Sequence, residues 1–218
     1  MKRTLFFFVA ALCCIGAAAQ RPEISPVPQQ AEWGDVAFAH GQKFYLVGAD
    51  KADTDAVQLL MDNVGICDCH QSRPLLIGER TDKAVKAYKK LIPQHPEGYY
   101  LHVGKDAVVV AGYDEEGTYY GVQTLLRILD QPQVQACTIT DWPSVACRGV
   151  IEGFYGNPWI HQDRLRQFDF YGRNKMNTYV YGPKDDPYHR AHWRDPYPEA
   201  EARQLRELVE AAHRNKGQ

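Results

Sequence analysis

Apolar and polar positions follow two different rhythms along this chain. Up to residue 140, short apolar runs of strand length are interleaved with segments that carry apolar residues at helical spacing. The predicted strands cover residues 44–47, 75–77, 97–103 and 107–111, and the predicted helices cover residues 52–64 and 118–129. Turn residues separate the last two strands, so these strands are expected to form a hairpin.

After residue 147 the rhythm changes to strand, helix, strand, helix. The strands are expected at residues 148–152 and 177–181, and the helices at residues 162–175 and 199–215. A strand–helix–strand unit crosses over in a right-handed sense, which places its two strands parallel. Glycine, aromatic and charged residues follow each strand directly. Because the functional groups of a β/α barrel lie where its strands end, this segment is predicted to form an active-site rim.

The strand–helix repeat after residue 147 covers too few residues for the fold that it indicates. Pro143 favours an extended connection before it, so the expected domains are residues 24–144 and 145–218. A complete (β/α)8 barrel typically needs about 250 residues. The predicted fold class is therefore an α+β N-terminal domain followed by the first two βα units of a truncated (β/α)8 TIM barrel. The chain is expected to be a fragment.

The N-terminus has the order of a secretory signal peptide. A basic start is followed by apolar residues 4–15 and by the small residues Ala17-Ala-Ala19, which predicts cleavage of residues 1–19 before Gln20. The mature protein is expected to be periplasmic or secreted without inserting into a membrane, because no other apolar run approaches spanning length. Cys13 and Cys14 leave a lipoprotein anchor as an alternative, although Leu12 is large for that processing step.

The net charge and the cysteines bear on three further questions, namely a nucleic-acid partner, a metal site and disulfides. The formal net charge is -2, and without a basic excess we expect no nucleic-acid partner. Four cysteines follow the leader, namely Cys67, Cys69, Cys137 and Cys147. The run Cys67-Asp-Cys69-His70 resembles a metal cluster, but no second cluster of matching spacing follows, so the zinc signal is weak. Free or paired structural thiols are expected, and both states remain open.

Two long motifs carry a family resemblance. The runs RGVIEGFYGNPW (148–159) and KMNTYVYGPKDDPYH (175–189) closely resemble bacterial members of glycoside hydrolase family 84, which are β-N-acetylglucosaminidases. The runs EGYYLHV and GTYYGVQTLLRIL resemble the small α+β domain that precedes the barrel in families 84 and 20. The resemblance implies hydrolysis of terminal β-linked N-acetylglucosamine by a retaining, substrate-assisted reaction with no metal or organic cofactor. The implied partner is a glycan or glycoprotein that bears this sugar.

The resemblance implies roles for individual residues. Gly153 matches the glycine that lines the sugar pocket, and Lys184 matches the lysine that contacts the substrate; a turn glycine and a solvated lysine are the alternatives. The catalytic aspartate pair of the family follows a later strand, beyond residue 218, so no catalytic residue is expected here. Asp185-Asp186 is instead expected to hydrogen-bond within its loop and to pair with Lys184.

Three further residues of the rim have expected structural roles. Glu152 is predicted to be a buried structural carboxylate, and Tyr155 and Trp159 are predicted to pack and shape the loop. Two other functions remain open for the whole protein. They are a hyaluronidase-like hydrolase and a non-catalytic carbohydrate-binding module, of which the second would need an exposed aromatic platform.

Overall fold

The computed structural model describes residues 21–69 and 71–218, so the predicted leader and His70 lie outside the described residues. The elements in chain order are β1 (Gln30–Ala39), β2 (Phe44–Val47), α1 (Thr54–Asn63), β3 (Arg73–Glu79), β4 (Tyr99–Val103), β5 (Val108–Gly112), α2 (Glu115–Leu129), β6 (Gln133–Asp141), β7 (Gly149–Glu152), α3 (His161–Arg173), β8 (Thr178–Tyr181) and α4 (Glu199–Arg214). Short 3-10 turns occur at Lys86–Tyr88 and Pro187–His189. None of the described helices has the length and apolar character needed to cross a membrane.

The first part of the chain folds around a six-stranded mixed sheet of order β1-β6-β4-β5-β3-β2. Strands β4 and β5 pair antiparallel, with Tyr99 opposite Gly112 and Val103 opposite Val108, which confirms the predicted hairpin. Strands β2, β3 and β5 run parallel to one another. This is a mixed sheet with helices, as the predicted α+β class requires.

Strands β1 and β6 were not predicted from the sequence. They pair antiparallel with each other from Gln30 opposite Thr140 to Ala39 opposite Gln133. Two irregularities interrupt the register on β1, so this strand shows no clean period of two. In β6 the buried positions alternate from Cys137 to Asp141, and only Val134 is out of step. Strand β1 is also largely exposed, and a solvated edge strand lacks the apolar signal on which a prediction depends.

Both helices of the first part begin at aspartate caps. The carboxylate of Asp53 accepts from Ala56 N at 2.9 Å, and α1 begins at the next residue. Asp114 caps α2 in the same way through Gly117 N at 2.9 Å, which starts α2 earlier than the predicted residue 118. Helix α2 is buried over most of its surface, because it packs against the sheet and also contacts α1 and α3. A Cβ on Gly117 would lie 2.1 Å from Gly98 O, so glycine is required for this close approach.

The second part contains the two parallel strands that the sequence predicts. Gly149 pairs with Thr178 and Glu152 pairs with Tyr181, and α3 connects β7 to β8. Helices α3 and α4 cover one face of these strands through an apolar cluster, with buried members Phe168, Tyr171, Leu208, Ala211 and Ala212. The other face is open, and Ile151 is 70% exposed there.

Gln218 extends the ladder beside β8. Its backbone N donates to Asn177 O at 3.0 Å, and Tyr179 N donates to its backbone O at 2.9 Å. These two bonds have the alternating pattern of a parallel strand pair.

A buried ion pair joins the two parts of the chain. Lys175 lies in the turn between α3 and β8, and its Nζ donates to Asp141 Oδ2 at 2.7 Å and to Tyr99 OH at 2.8 Å. Both charged side chains are buried. Burial lowers the pKa of Lys175, and the charge of Asp141 opposes that shift only in part. The pair therefore contributes stability only while both partners are present.

Two further charged contacts support this junction. The guanidinium of Arg148 binds the carboxylate of Glu97 and donates to Lys175 O at 2.8 Å. At the other end of the junction, Lys216 Nζ donates to Asp53 Oδ1 at 2.7 Å. Because each of these ion pairs joins a residue before position 142 to a residue after position 147, the second part is held against the first at several points.

The buried pair gives a stability prediction. Lys175→Met keeps the length of the side chain but leaves Asp141 buried without its cation, so the free energy of unfolding should fall by about 3 kcal/mol. Lys184→Met, which changes an exposed lysine, should alter it by less than about 0.5 kcal/mol. Urea unfolding followed by circular dichroism measures both variants. Equal stability of the two would show that the buried pair does not hold the parts together.

Candidate functional site

The loops that follow β7 and β8 lie side by side. Gly182 N donates to Glu152 O at 3.1 Å, and Lys184 N donates to Phe154 O at 3.2 Å. These bonds join the two loops at the carboxyl ends of parallel strands. Gly153 and Lys184, which the sequence singles out, therefore lie on adjoining segments of one edge.

Gly153 shows little steric need for glycine within this chain. A Cβ built there would meet Ile151 Cγ2 at 3.2 Å, which a small adjustment relieves, and its backbone φ is not positive. Gly156 differs, because its φ of +99° is one that side-chain-bearing residues rarely adopt. The turn geometry thus explains Gly156 but not Gly153, and close approach of a ligand to Gly153 stays a prediction.

Lys184 presents a free ammonium group at this edge. Its side chain is exposed, and among residues 21–69 and 71–218 no carboxylate lies within ion-pair distance of it. The expected pairing with Asp185-Asp186 does not form. Both carboxylates are instead directed to backbone and tyrosine donors, so the lysine keeps three donors for a ligand.

Asp186 anchors the loop after β8. Its buried carboxylate accepts from Tyr181 OH at 2.8 Å, from Tyr197 OH at 2.9 Å and from Tyr188 N at 2.8 Å. Burial opposes ionisation, but these donors outweigh it and lower the pKa of Asp186. Asp185 is exposed and accepts from Gly156 N at 3.1 Å. The expected hydrogen bonding of this aspartate pair within the loops is confirmed.

Glu152 is fully buried at the end of β7. Arg164 donates to both of its carboxylate oxygens, at 2.7 Å and 2.6 Å, and Trp159 N donates at 3.1 Å. The hydroxyl of Tyr179 donates to the same group. Burial alone would raise the pKa of Glu152, but the bidentate contact with Arg164 lowers it below its usual value. The predicted role as a buried structural carboxylate is confirmed.

The sequence pattern does not identify Arg164 as the partner of Glu152. The signal was weak, because Arg164 is one of several charged residues at the start of α3. Its guanidinium also lies 4.9 Å from the ring centroid of Tyr181 on β8. One side chain thus connects the end of β7, the start of α3 and the end of β8.

The two aromatic residues of the first loop behave differently. Trp159 packs edge to face on Phe154 with ring centroids 5.3 Å apart, which confirms its predicted packing role. The same prediction is wrong for Tyr155, which is 74% exposed. The guanidinium of Arg190 lies 5.8 Å from its ring centroid. The motif does not reveal this, because the residue type alone does not give the direction of a side chain in a loop.

Metal ligands and disulfides were both open questions from the sequence. Across residues 21–69 and 71–218, no group of three or more His, Cys, Asp and Glu side chains is placed to hold a metal ion. His70 lies outside the described residues, so the described part of the run contains only Cys67, Asp68 and Cys69. These two cysteines and the later pair, Cys137 and Cys147, are all free thiols.

Comparison with family models divides the chain into two matched segments. A model described as glycosyl hydrolase family 20, domain 2, matches residues 21–142. A model described as beta-N-acetylglucosaminidase matches residues 148–218. The two matches meet at the junction that the buried pair stabilises.

Curated relatives and solved structures agree with these matches. The chain is 48% identical over 64 residues to protein O-GlcNAcase of Rattus norvegicus. This match covers 29% of this chain and 7% of the rat protein. Protein O-GlcNAcase of Mus musculus gives the same values. The structure of CpGH84B is 34% identical, with a TM-score of 0.78, and the match covers 89% of this chain and 36% of that one. CpGH84D is 25% identical at the same TM-score, over 90% of this chain and 36% of that one.

A more distant structure matches in fold. The beta-N-acetylhexosaminidase from Bacteroides fragilis is 18% identical with a TM-score of 0.60, over 88% of this chain and 43% of that chain. This chain therefore spans less than half the length of each of these relatives.

The contact between Glu152 and Arg164 predicts a pH-dependent stability. At pH 7, Glu152→Gln should lower the free energy of unfolding by about 3 kcal/mol, because Arg164 loses its buried partner. The folded-state pKa of Glu152 is lowered, so its contribution is fully present above its ordinary value of 4.5 and is lost as the pH falls below it. The difference between variant and wild type should shrink below that pH in urea unfolding.

A matched variant tests the same charge change at the surface. Glu199→Gln removes an exposed carboxylate that is 3.0 Å from Arg206, and it should cost no more than about 1 kcal/mol at any pH. A constant difference between Glu152→Gln and wild type from pH 7 to pH 3 would contradict the assignment of a lowered pKa to Glu152.

Proposed function

The chain belongs to glycoside hydrolase family 84, of which it carries the N-terminal portion, and we propose that its protein is a β-N-acetylglucosaminidase. The proposed reaction is hydrolysis of a terminal β-linked N-acetylglucosamine with retention of configuration. The acetamido oxygen of the substrate attacks the anomeric carbon in place of an enzyme nucleophile, and no cofactor takes part. The proposed substrates are glycans or glycoproteins that bear this sugar.

One observation supports this proposal above the others. The loops that carry Gly153 and Lys184 are hydrogen-bonded to each other at the carboxyl ends of β7 and β8, and Lys184 is exposed with no anionic partner among the described residues. An ammonium group in that position can donate to a sugar hydroxyl or carbonyl oxygen. Gly153 lets the backbone approach the same ring closely, because it has no Cβ.

The general acid and base are proposed to lie outside this chain. Glu152 and Asp186 are buried, and each accepts at least three hydrogen bonds, so neither has a free oxygen to exchange a proton with a substrate. We propose that an aspartate pair beyond residue 218 supplies this chemistry, one member orienting the acetamido group and the other acting as acid and then base. The role of the described carboxylates is to hold the rim loops.

The two parts of the chain are proposed to belong to two domains. We propose that β7 and β8 are the first two strands of a (β/α)8 barrel, within a domain that begins at residue 145 after an α+β domain at residues 24–144. The open face of β7 and β8 would then line the barrel interior, and the ladder at Gln218 would be the start of a third strand. For the leader, residues 1–19, we propose cleavage and a periplasmic or secreted location.

A non-catalytic carbohydrate-binding module is the second candidate. Tyr155 is 74% exposed and Trp193 is 64% exposed, and exposed aromatic rings are the platforms on which such modules stack sugars. The two candidates differ in one measurement, because only the hydrolase releases the aglycone from an aryl N-acetylglucosaminide.

The proposed role of Lys184 predicts a loss of turnover. In the protein that contains this chain, Lys184→Ala should lower kcat/KM on an aryl N-acetylglucosaminide by about 10- to 150-fold, because a charge-assisted hydrogen bond contributes roughly 1.5–3 kcal/mol. Lys105→Ala, at an exposed turn of the first domain, is the matched control and should leave kcat/KM unchanged. Wild-type kinetics for Lys184→Ala would identify Lys184 as an ordinary surface lysine.

The proposed location of the acid and base predicts an inactive fragment. The 218-residue chain alone should release aryl alcohol from an aryl N-acetylglucosaminide only at the background rate, since general acid–base help is typically worth about 10²- to 10⁴-fold. Turnover by the purified chain that disappears in Asp185→Asn or Asp186→Asn would identify the aspartate pair of this chain as catalytic, against our assignment.

A further inference from the structure

Two cysteines lie one residue apart in the segment that joins α1 to β3. Cys67 N donates to Phe44 O at 2.8 Å, which fixes Cys67 beside the start of β2. Ser72 N donates to Cys69 O at 2.9 Å, and Ser72 Oγ accepts from Cys69 N at 3.3 Å, which closes a turn around Cys69. The backbone is therefore held on both sides of the pair, and both thiols are free.

The two thiols have different environments. The neighbouring Cys67 thiol lowers the pKa of Cys69, and donors from Gln71 and Ser72 and the charge of Lys43 act in the same direction. Cys69 in turn raises the pKa of Cys67. Cys69 is exposed, so the thiol that ionises more readily is also the one that an external reagent reaches first.

We propose that Cys67 and Cys69 form a thiol–disulfide exchange site, which reacts with small-molecule disulfides and closes an intramolecular disulfide. The Cys69 thiolate attacks one sulfur of the external disulfide, forms a mixed disulfide and releases one thiolate. Cys67 then loses its proton and attacks the Cys69 sulfur, which forms the Cys67–Cys69 bond and releases the second thiolate. Two protein thiols are oxidised to one disulfide, and the external disulfide is reduced to two thiols, which take up the two protons.

This pair is suited to exchange rather than to holding the fold together. A disulfide stabilises a protein mainly by closing a long loop in the unfolded chain, and the Cys67–Cys69 bond would enclose only Asp68. So small a ring also departs from the usual disulfide geometry, which makes the bond easier to reduce. Disulfides that are exposed to solvent are also among the labile ones.

The other described cysteines do not form a comparable pair. Cys137 is buried in the first domain, and burial raises the pKa of its thiol to about 12. Cys147 is exposed, and its thiol donates to Thr178 Oγ1 at 3.4 Å rather than to a second sulfur. The exchange site lies in the first domain, away from the rim loops of β7 and β8, and it does not depend on the proposed glycosidase activity.

Oxidised glutathione is the probe for this proposal. The reduced protein is incubated with oxidised glutathione, alkylated and digested, and the peptide that spans Cys67 and Cys69 is analysed by mass spectrometry. We expect this peptide to lose both alkylatable thiols and to carry no glutathione. Dithiothreitol should restore both thiols. Peptides in which both thiols stay alkylatable, or in which each carries glutathione, would overturn the proposal, as would a disulfide between two chains.

Single substitutions separate the roles of the two thiols. In Cys67→Ser, Cys69 should keep glutathione as a stable mixed disulfide, because the thiol that resolves it is missing. In Cys69→Ser, Cys67 should acquire glutathione more slowly than Cys69 does in the other variant. Cys147→Ser is the matched control at an exposed cysteine outside the pair, and oxidation of the pair should be unchanged in it. Equal rates for Cys67→Ser and Cys69→Ser would contradict the assignment of Cys69 as the attacking thiol.

Discussion

The buried contact of Lys175 with Asp141 and Tyr99 fixes the position of the β7–β8 unit. Burying either charge alone is costly, so the two side chains satisfy each other only when the turn before β8 sits against the end of β6. Lys175 has a φ of 57°, a conformation that side-chain-bearing residues adopt only where surrounding contacts support it. Because β8 begins a few residues later, this contact also places the loop that carries Lys184.

The charged groups in the loops after β7 and β8 fall into two kinds, buried and exposed. The carboxylates of Glu152 and Asp186 are buried and saturated with donors, and they hold the end of β7 and the loop after β8 in place. Lys184 is left exposed with its donors free, as a group that binds a ligand must be. The adjacent Asp185 and Asp186 look like a catalytic dyad in the sequence, but one is buried as a loop anchor and the other faces solvent.

The sequence predicts elements where one strong local signal exists. The parallel strands β7 and β8 and the hairpin of β4 and β5 follow from apolar runs and turn residues, and their pairing is confirmed. Strand β1 was missed, because bulges and exposure remove its period of two. The alternation of Cys137, Ile139 and Asp141 in β6 was not recognised. Arg164 was missed because it is one of several charged residues at the start of α3. The exposure of Tyr155 was missed because the residue type alone does not give the direction of a side chain in a loop.

The β7–β8 unit needs support from outside itself. A two-stranded sheet is at best marginally stable in water, and here one face carries the exposed Ile151 and Val180. Its stability must therefore come from α3 and α4 on the other face and from the first part of the chain through Lys175 and Arg148. We infer that the six-stranded sheet and its helices support these strands. The candidate sugar-contacting loops then depend on a junction that touches no substrate.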